Sequence, residues 1–450
     1  MNQSKGVAEP SYFPYRYSNV GRDFYEWLEK LEGLRDMDYE QIREAQFRSF
    51  ASIVKLAYEH TIFYHQLYDE HGFHPNHLKD LSDIQRIPKI TKAMVKESGL
   101  GILVSKYNPK MLSVSSTSGS TGNSLMVYSN RRIEEREWAT TCYLWSSVGY
   151  RPGDGRVEFM GYFPGGAEYT NDLYHRVLRI NVSKITITNI RKIWNLIHEL
   201  GYEFIHGYPS SLSLVSKLVL ENNMVNQYHP KAILLVSENI YEHQYHTITS
   251  AFPHTKLHAL YGQSERTVMA AWTDDSLAYS FVPNYGYVEI DDCTNEMIGT
   301  SFINVVMPLI RYELMDISSG IIPSSSHSNY LFPTIPSIDG RVGEIMYKPN
   351  GDMVSSALIA TTIRGTQSIS AYKLIQHQPN KIDILVETFQ SKEQVMDELK
   401  LVIEKLKSIF TESMMFKVHI VDYIPREVSG KLKTVEVANH VMYSLRRNGE

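Results

Sequence analysis

Cysteine is nearly absent from this 450-residue chain, which holds only Cys142 and Cys293. Two thiols cannot build a disulfide framework, and neither lies in a Cys/His cluster of zinc-ligand spacing. That scarcity suits a reducing cytosol and argues against a structural metal. No apolar run approaches the length needed to cross a bilayer. The opening stretch, Met1 to Tyr17, is polar and aromatic with no apolar centre, so it does not read as a signal peptide. Basic blocks are missing too: 45 Lys+Arg are scattered against 50 Asp+Glu, for a net charge of −5. This argues against a nucleic-acid partner. The expectation is a cytoplasmic protein that works on small molecules, with neither nucleic acid nor membrane as partner and an oligomeric state that the sequence does not disclose.

Two familiar phosphate motifs are also lacking. No Gly-Lys-Ser/Thr follows a glycine-rich turn, and no G-x-G-x-x-G occurs. In their place stands Ser115-Ser116-Thr117-Ser118-Gly119-Ser120-Thr121-Gly122, directly after Met111-Leu-Ser-Val. Glycines let backbone N–H groups turn inward and hydroxyls add donors without bulk, so this run reads as a loop for phosphate oxygens. On its own it reads equally well as a Ser/Gly linker. Residues further along the chain decide between the two.

With 43% hydrophobic and 21% charged residues the chain is globular and long enough for two or more domains. The first part is helical, with Phe47, Phe50, Ala51, Val54 and Ala57 at helical spacing. From Val157 the rhythm becomes strand, turn, helix. Strands are predicted at Val157–Met160, Glu203–His206, Lys231–Val236 and Lys256–Leu260, and one helix face at Ile190, Ile193, Trp194, Ile197 and Leu200 ends at Gly201. Composition shifts to Ser, Pro and Ile between Ser318 and Gly340. Beyond it, strands at Lys373–Gln376, Lys381–Val386 and Phe416–Val421 surround a helix carrying Val395, Leu399, Val402, Ile403, Leu406 and Ile409, with Ser391 and Gln394 as its capping box. The predicted fold class is α/β: a large layered α/β N-terminal domain and a small mobile α+β C-terminal domain. Its divisions are a helical segment of the large domain at 1–110, an α/β core at 111–340 and a small C-terminal unit at 341–450.

Four polar clusters fall at strand ends or at the domain junction, where α/β proteins bind ligands. The first is the Ser/Thr/Gly loop. The second is Tyr261-Gly262-Gln263-Ser264-Glu265, where a carboxylate after a buried strand is suited to Mg²⁺. The third is Arg311-Tyr312-Glu313-Leu314-Met315-Asp316 with Gly340-Arg341-Val342-Gly343-Glu344; Asp316 offers two acceptors for a ribose diol and Arg341 a fork of donors. The fourth is Ser429-Gly430-Lys431, a lysine on a tight turn. Taken singly, an acid after a strand is most often a turn former, and a lysine near the terminus is most often solvated.

In this order the four clusters resemble the adenylate-forming superfamily, and within it the phenylacetate–coenzyme A ligase branch with its capsular-polysaccharide-biosynthesis (CapK-like) relatives. Ala57-Tyr58, Phe63-Tyr64, Ile87-Pro88-Lys89-Ile90-Thr91-Lys92 and His206-Gly-Tyr-Pro-Ser-Ser211 support that branch. The resemblance implies ATP-dependent activation of a carboxylate to an acyl-adenylate, with pyrophosphate released, and transfer of the acyl group to an acceptor. Coenzyme A is the acceptor it favours, with an amine or hydroxyl in surface-polysaccharide synthesis as the alternative. By the same resemblance Ser116, Thr117, Ser118, Gly119, Ser120, Thr121 and Gly122 hold phosphates, and Tyr261, Gly262, Asp316 and Arg341 contact the nucleotide. Glu265 ligates Mg²⁺, Lys431 is catalytic, and Gly343 is the hinge. His206, Tyr208, Ser237, Glu238 and Ala259 line the acyl pocket.

The sequence departs from the superfamily pattern at Ser124-Leu125, where Pro-Lys is frequent, at Gly343, and at Ser264, where threonine is usual. Two other classes compete with this reading. A degenerate nucleotide-binding protein has no use for Lys431. A metal hydrolase built on His243 and His246 lacks a third ligand at suitable spacing. The carboxylates of Asp291-Asp292 read as a solvated turn.

Overall fold

The structure is a computed structural model. It describes residues 20–441 apart from 117–124, 161–166, 226, 239, 241, 274–276, 319, 323–331, 339, 342–344, 364–365, 367, 389, 427–431 and 439. The chain packs as two compact units. The first comprises Met1–Asp154, His258–Leu314 and Ser318–Ser337, and the second Gly155–Leu257, Met315–Ile317 and Ile338–Glu450.

In the first unit the helix Tyr39–His60 starts from a reciprocal Asp38/Gln41 capping box and buries Ile42, Phe50, Ile53, Val54 and Ala57. Its apolar stripe therefore runs where helical spacing places it. Phe50 meets Tyr287 and Phe302 edge-on, with ring centroids 5.7 and 6.2 Å apart. Helix Arg22–Glu32 is tied to helix Arg131–Trp145 by a buried bond from Trp27 Nε1 to Thr140 Oγ1 at 3.0 Å. Within this unit Met269–Trp272 pairs antiparallel with the end of strand Lys256–Gly262 and with Tyr279–Phe281, which in turn pairs with Thr334–Ile335. The hairpin Gly286–Ile290/Glu296–Ser301 carries a demanding contact. A Cβ on Gly286 would lie 2.0 Å from the Thr267 carbonyl oxygen, so only glycine lets that turn approach.

In the second unit Ala232–Val236, Phe204–Gly207, Arg156–Met160 and Val177–Asn181 run parallel in that order, with Tyr169–Asp172 antiparallel beside the last. The first is buried almost throughout, as its unbroken apolar run requires. Helix Ile187–Leu200 is capped by Thr186 and stops at Gly201, whose φ of 61° is left-handed. Further along, Ile369–Gln378 and Lys381–Thr388 form an antiparallel pair. Met415–Val421 joins the second of these and Val435–Val437 the first, both in parallel. Helix Lys392–Ile409 buries Val395, Leu399, Val402 and Leu406 against this sheet's core. Its cap is half of the expected box. Ser391 Oγ accepts from Gln394 N, but the Gln394 side chain accepts from that same hydroxyl and not from the Ser391 backbone.

Leu399 is 1% exposed, so Leu399→Ala should cost about 2–5 kcal/mol by opening a cavity. Chemical denaturation would show a lower midpoint with activity per folded molecule retained. His258, on strand Lys256–Gly262, is buried, its Nε2 has no hydrogen-bond partner, and burial lowers its pKa to about 4. The unfolded chain therefore takes up a proton near pH 6.5 that the folded one refuses until about pH 4. Stability should be free of this effect above pH 6.5 and fall as pH drops toward 4, by about 3 kcal/mol in all. His258→Gln should flatten the stability–pH curve in that window.

Candidate active site

The Ser/Thr/Gly run begins on a two-stranded ribbon. Ser113–Ser116 pairs antiparallel with Met126–Ser129, Ser116 lying opposite Met126. Ser115 Oγ donates to Val127 O at 3.5 Å and Ser116 is exposed. Thr117, Ser118, Gly119, Ser120, Thr121 and Gly122 lie outside the described residues, as does Ser124; Leu125 is buried.

Tyr261 and Gly262 end the strand Lys256–Gly262. Tyr261 is buried, its ring edge-on to Tyr279 and Phe281, while Gly262 is exposed. Ala259 is buried in the same strand. After it the chain turns sharply. Arg266 N donates to Gln263 O at 3.0 Å, Thr267 Oγ1 donates to the Gln263 side chain at 2.8 Å, and Arg266 has a φ of 54°. Arg266 is ion-paired with Glu137, and its carbonyl accepts from Ser301 Oγ at 2.6 Å. These bonds fix the turn that carries Glu265. Its carboxylate is buried and accepts from Tyr312 OH at 3.5 Å. Arg311, next to Tyr312, is structural: its guanidinium is engaged by Glu289, the Gln85 side chain and the Ile87 carbonyl.

In the second unit Asp316 and Arg341 are Cα partners on adjacent antiparallel strands, although 25 positions separate their numbers. Asp316 is 9% exposed and follows Met315, whose φ of 62° twists the strand just before it. Gly343 and Lys431 lie outside the described residues.

The expected acyl-pocket residues of this unit gather around two carboxylates. Strand Phe204–Gly207 ends in His206-Gly207, and Tyr208 then caps helix Pro209–Glu221, which opens with proline at its first position. Burial raises the Tyr208 phenol pKa, and the nearby Glu238 and Glu158 charges add to that rise. Ser237 adopts a φ of 66° just past strand Ala232–Val236, a left-handed conformation that costs a serine energy and turns Glu238 back. Glu238 accepts from Ser210 N and Ser210 Oγ, each at 3.0 Å, and from Leu432 N at 3.2 Å. Burial raises its pKa against the lowering effect of these donors.

One group had no sequence signal. Glu158 is buried on strand Arg156–Met160, paired with Arg156 at 2.7 Å and Arg179 at 3.0 Å, and 3.6 Å from His206 Nδ1. Burial works against its charge, but Arg156 foremost, then His206 and Arg179, hold its carboxyl far below the usual range. Only its alternation with the apolar Val157 and Phe159 could have hinted at a polar face. Among the described residues no three His, Cys, Asp or Glu side chains are grouped to hold a metal ion, and no helix is long and apolar enough to cross a membrane.

Known proteins share this outline. Residues 346–438 match the CapK C-terminal domain family. Over 423 residues the chain is 21% identical to Protein CapK of Staphylococcus aureus, covering 91% of each. It is 23% identical over 314 residues to phenylacetate–coenzyme A ligase of Aromatoleum evansii, covering 66% of this chain and 70% of that one. Its fold superposes on a 2-hydroxyisobutyryl-CoA ligase, solved in its postadenylation state with R3-HIB-AMP, with a TM-score of 0.67 and 16% identity. The match covers 90% of this chain and 91% of that one. This chain thus shares the fold of an adenylate-forming ligase, and its residues 346–438 are similar to the CapK C-terminal domain family.

Proposed function

We propose that this protein activates a carboxylate with ATP, forming an acyl-adenylate and pyrophosphate, and then passes the acyl group to coenzyme A. The observation that carries the reading is the strand register that makes Asp316 and Arg341 neighbours. Two motifs far apart in sequence meet, as a shared ribose contact requires. In this reading Asp316 accepts from the ribose hydroxyls with help from Arg341. Tyr261 and Gly262 border the nucleotide, and the loop from Ser116 to Gly122 holds the β- and γ-phosphates through backbone N–H and hydroxyl donors. A carboxylate oxygen attacks the α-phosphorus, and the bond to the pyrophosphate oxygen breaks. Negative charge gathers on the α-phosphoryl oxygens, where the Lys431 ammonium stabilises it.

Mg²⁺ fits this arrangement through one protein ligand. Glu265 is a buried carboxylate held on a rigid turn, and no larger acidic cluster stands among the described residues. A magnesium ion bound by one carboxylate completes its oxygen shell with substrate phosphates and water, and when bound it neutralises phosphate charge. By the family resemblance the acyl group is assigned to His206, Tyr208, Ser237 and Glu238 of the second unit and to Ala259 of the first. A 341–450 lid turning about Gly343 would deliver Lys431 for the first step and withdraw it for the second. Similarity to Protein CapK along nearly the whole chain supports a second reading, in which the acceptor is an amine or hydroxyl of a surface saccharide.

Carboxylate-dependent ATP–pyrophosphate exchange over a panel of acids, including phenylacetate and 2-hydroxyisobutyrate, tests the first step without an acceptor. Exchange with at least one acid is expected; none across the panel would leave a nucleotide-binding protein without turnover. Lys431→Ala should lower exchange by about 10²-fold or more while nucleotide binding persists. Glu265→Gln should abolish the Mg²⁺-dependent rate with the melting temperature unchanged. For the second step, AMP release should accelerate with added coenzyme A. Indifference to coenzyme A with stimulation by an amino sugar would establish the saccharide reading instead.

A further inference from the structure

The turn after strand Lys256–Gly262 is carried by a residue that does not suit it. Arg266 has a φ of 54°, a left-handed conformation that glycine or asparagine adopts at little cost and a long side chain does not. Such a conformation persists only where its surroundings over-determine it. Two of the bonds there are open to any residue: the Arg266 N–H donates to Gln263 O at 3.0 Å, and the Arg266 carbonyl accepts from Ser301 Oγ at 2.6 Å. The third needs the arginine side chain, whose Nε donates to the Glu137 carboxylate. Both side chains are largely withdrawn from water, Arg266 13% and Glu137 30% exposed, so salt screens the pair less than it would at the surface. Glu137 stands on helix Arg131–Trp145, which Trp27 ties to helix Arg22–Glu32. The turn is pinned from its side to a braced helix.

Glu265 is the residue bonded directly before this anchor, and the Arg266 N–H shares a rigid peptide plane with the Glu265 carbonyl. Holding Arg266 therefore sets the direction in which the Glu265 carboxylate, buried at 7% exposure, leaves the turn. The Tyr312 hydroxyl reaches that carboxylate at 3.5 Å, close to the long limit of a hydrogen bond, so this contact guides it only weakly. We propose that Arg266 and Glu137 are positioning residues: their ion pair holds the left-handed turn in the geometry that presents the Glu265 carboxylate to Mg²⁺. This rests on the metal role given to Glu265 above. Magnesium demands near-ideal octahedral geometry, and an ion held through one protein carboxylate has no other side chain to correct a misplaced ligand. Position and charge make opposite demands here. By charge alone, losing the Arg266 cation would favour a divalent ion nearby and losing the Glu137 anion would disfavour it. Loss of position weakens metal binding in both cases.

Nucleotide binding by the full-length protein tests this without turnover. The probe is an ATP analogue with a methylene bridge between its α- and β-phosphates, titrated by calorimetry in saturating Mg²⁺ and again in EDTA. The ratio of the two Kd values is the tightening that the metal provides. Arg266→Gln and Glu137→Gln should each lose about tenfold of that tightening, with the Kd in EDTA within twofold of the parent protein. The double variant should lose no more than either single one, because one pair is broken only once. Glu134→Gln removes another carboxylate near Arg266 without touching the pair, and it should leave the ratio within twofold. Should Arg266→Gln fail to fold, the contrast between Glu137→Gln and Glu134→Gln decides the matter. If Glu265→Gln keeps the full tightening, the metal role of that carboxylate fails and this proposal with it. If Glu265→Gln loses the tightening while Arg266→Gln and Glu137→Gln keep it, the pair only braces the fold. A larger ratio in Arg266→Gln, or equal losses in the two glutamate variants, would mean that charge and not position is at work.

Discussion

A single buried carboxylate constrains much of the second unit. Glu158 lies opposite Arg179 on one neighbouring strand and opposite His206 on the other. Three polar side chains therefore form a row across three parallel strands, on the face away from Val157, Phe159, Leu178, Ile180 and Ile205, all fully buried. Slipping either neighbouring strand by one residue would push Arg179 or His206 into that apolar layer and leave Glu158 with Arg156 of its own strand and one cross-strand partner fewer. An uncompensated buried charge costs several kcal/mol, so the row locks the register. His206 leads directly into Tyr208 and helix Pro209–Glu221, so the residues expected to meet the acyl group inherit their placement from it.

Much of this was legible in the sequence, for local physical reasons. Helix Ile187–Leu200 announces itself by its apolar stripe and by Gly201, which takes the left-handed conformation that ends it. Strand Ala232–Val236 comes from an apolar run too short for a helix with its own stop signals. The motif order carried the resemblance to adenylate-forming ligases, which the fold bears out at 16% identity.

What the sequence hid lies in pairings between distant positions and in backbone strain. No local pattern predicts that Leu432 donates to Glu238 or that Glu158 gathers two arginines. Left-handed serine at 237 and methionine at 315 carry none of the glycine or asparagine signature that marks such conformations. Each sits one residue before a carboxylate of the candidate site, Glu238 and Asp316. Tertiary packing imposes that strain, and local propensity could not have announced it. The half-formed cap at Ser391 is a smaller instance: spacing specified the two residues but not which atoms would bond.

The ribbon Ser113–Ser116/Met126–Ser129 has a consequence for how this protein can diverge. Its four paired positions already bring residues 116 and 126 together, so the ladder bears most of the entropic cost of closing the loop between them. What remains grows only with the logarithm of loop length, about 0.6 kcal/mol per doubling. Insertions and deletions at that tip are therefore nearly neutral for folding. A change of length between residues 116 and 126 would leave the ribbon Ser113–Ser116/Met126–Ser129 intact, so folding constrains that stretch of sequence far more loosely than the phosphate contacts proposed for it do.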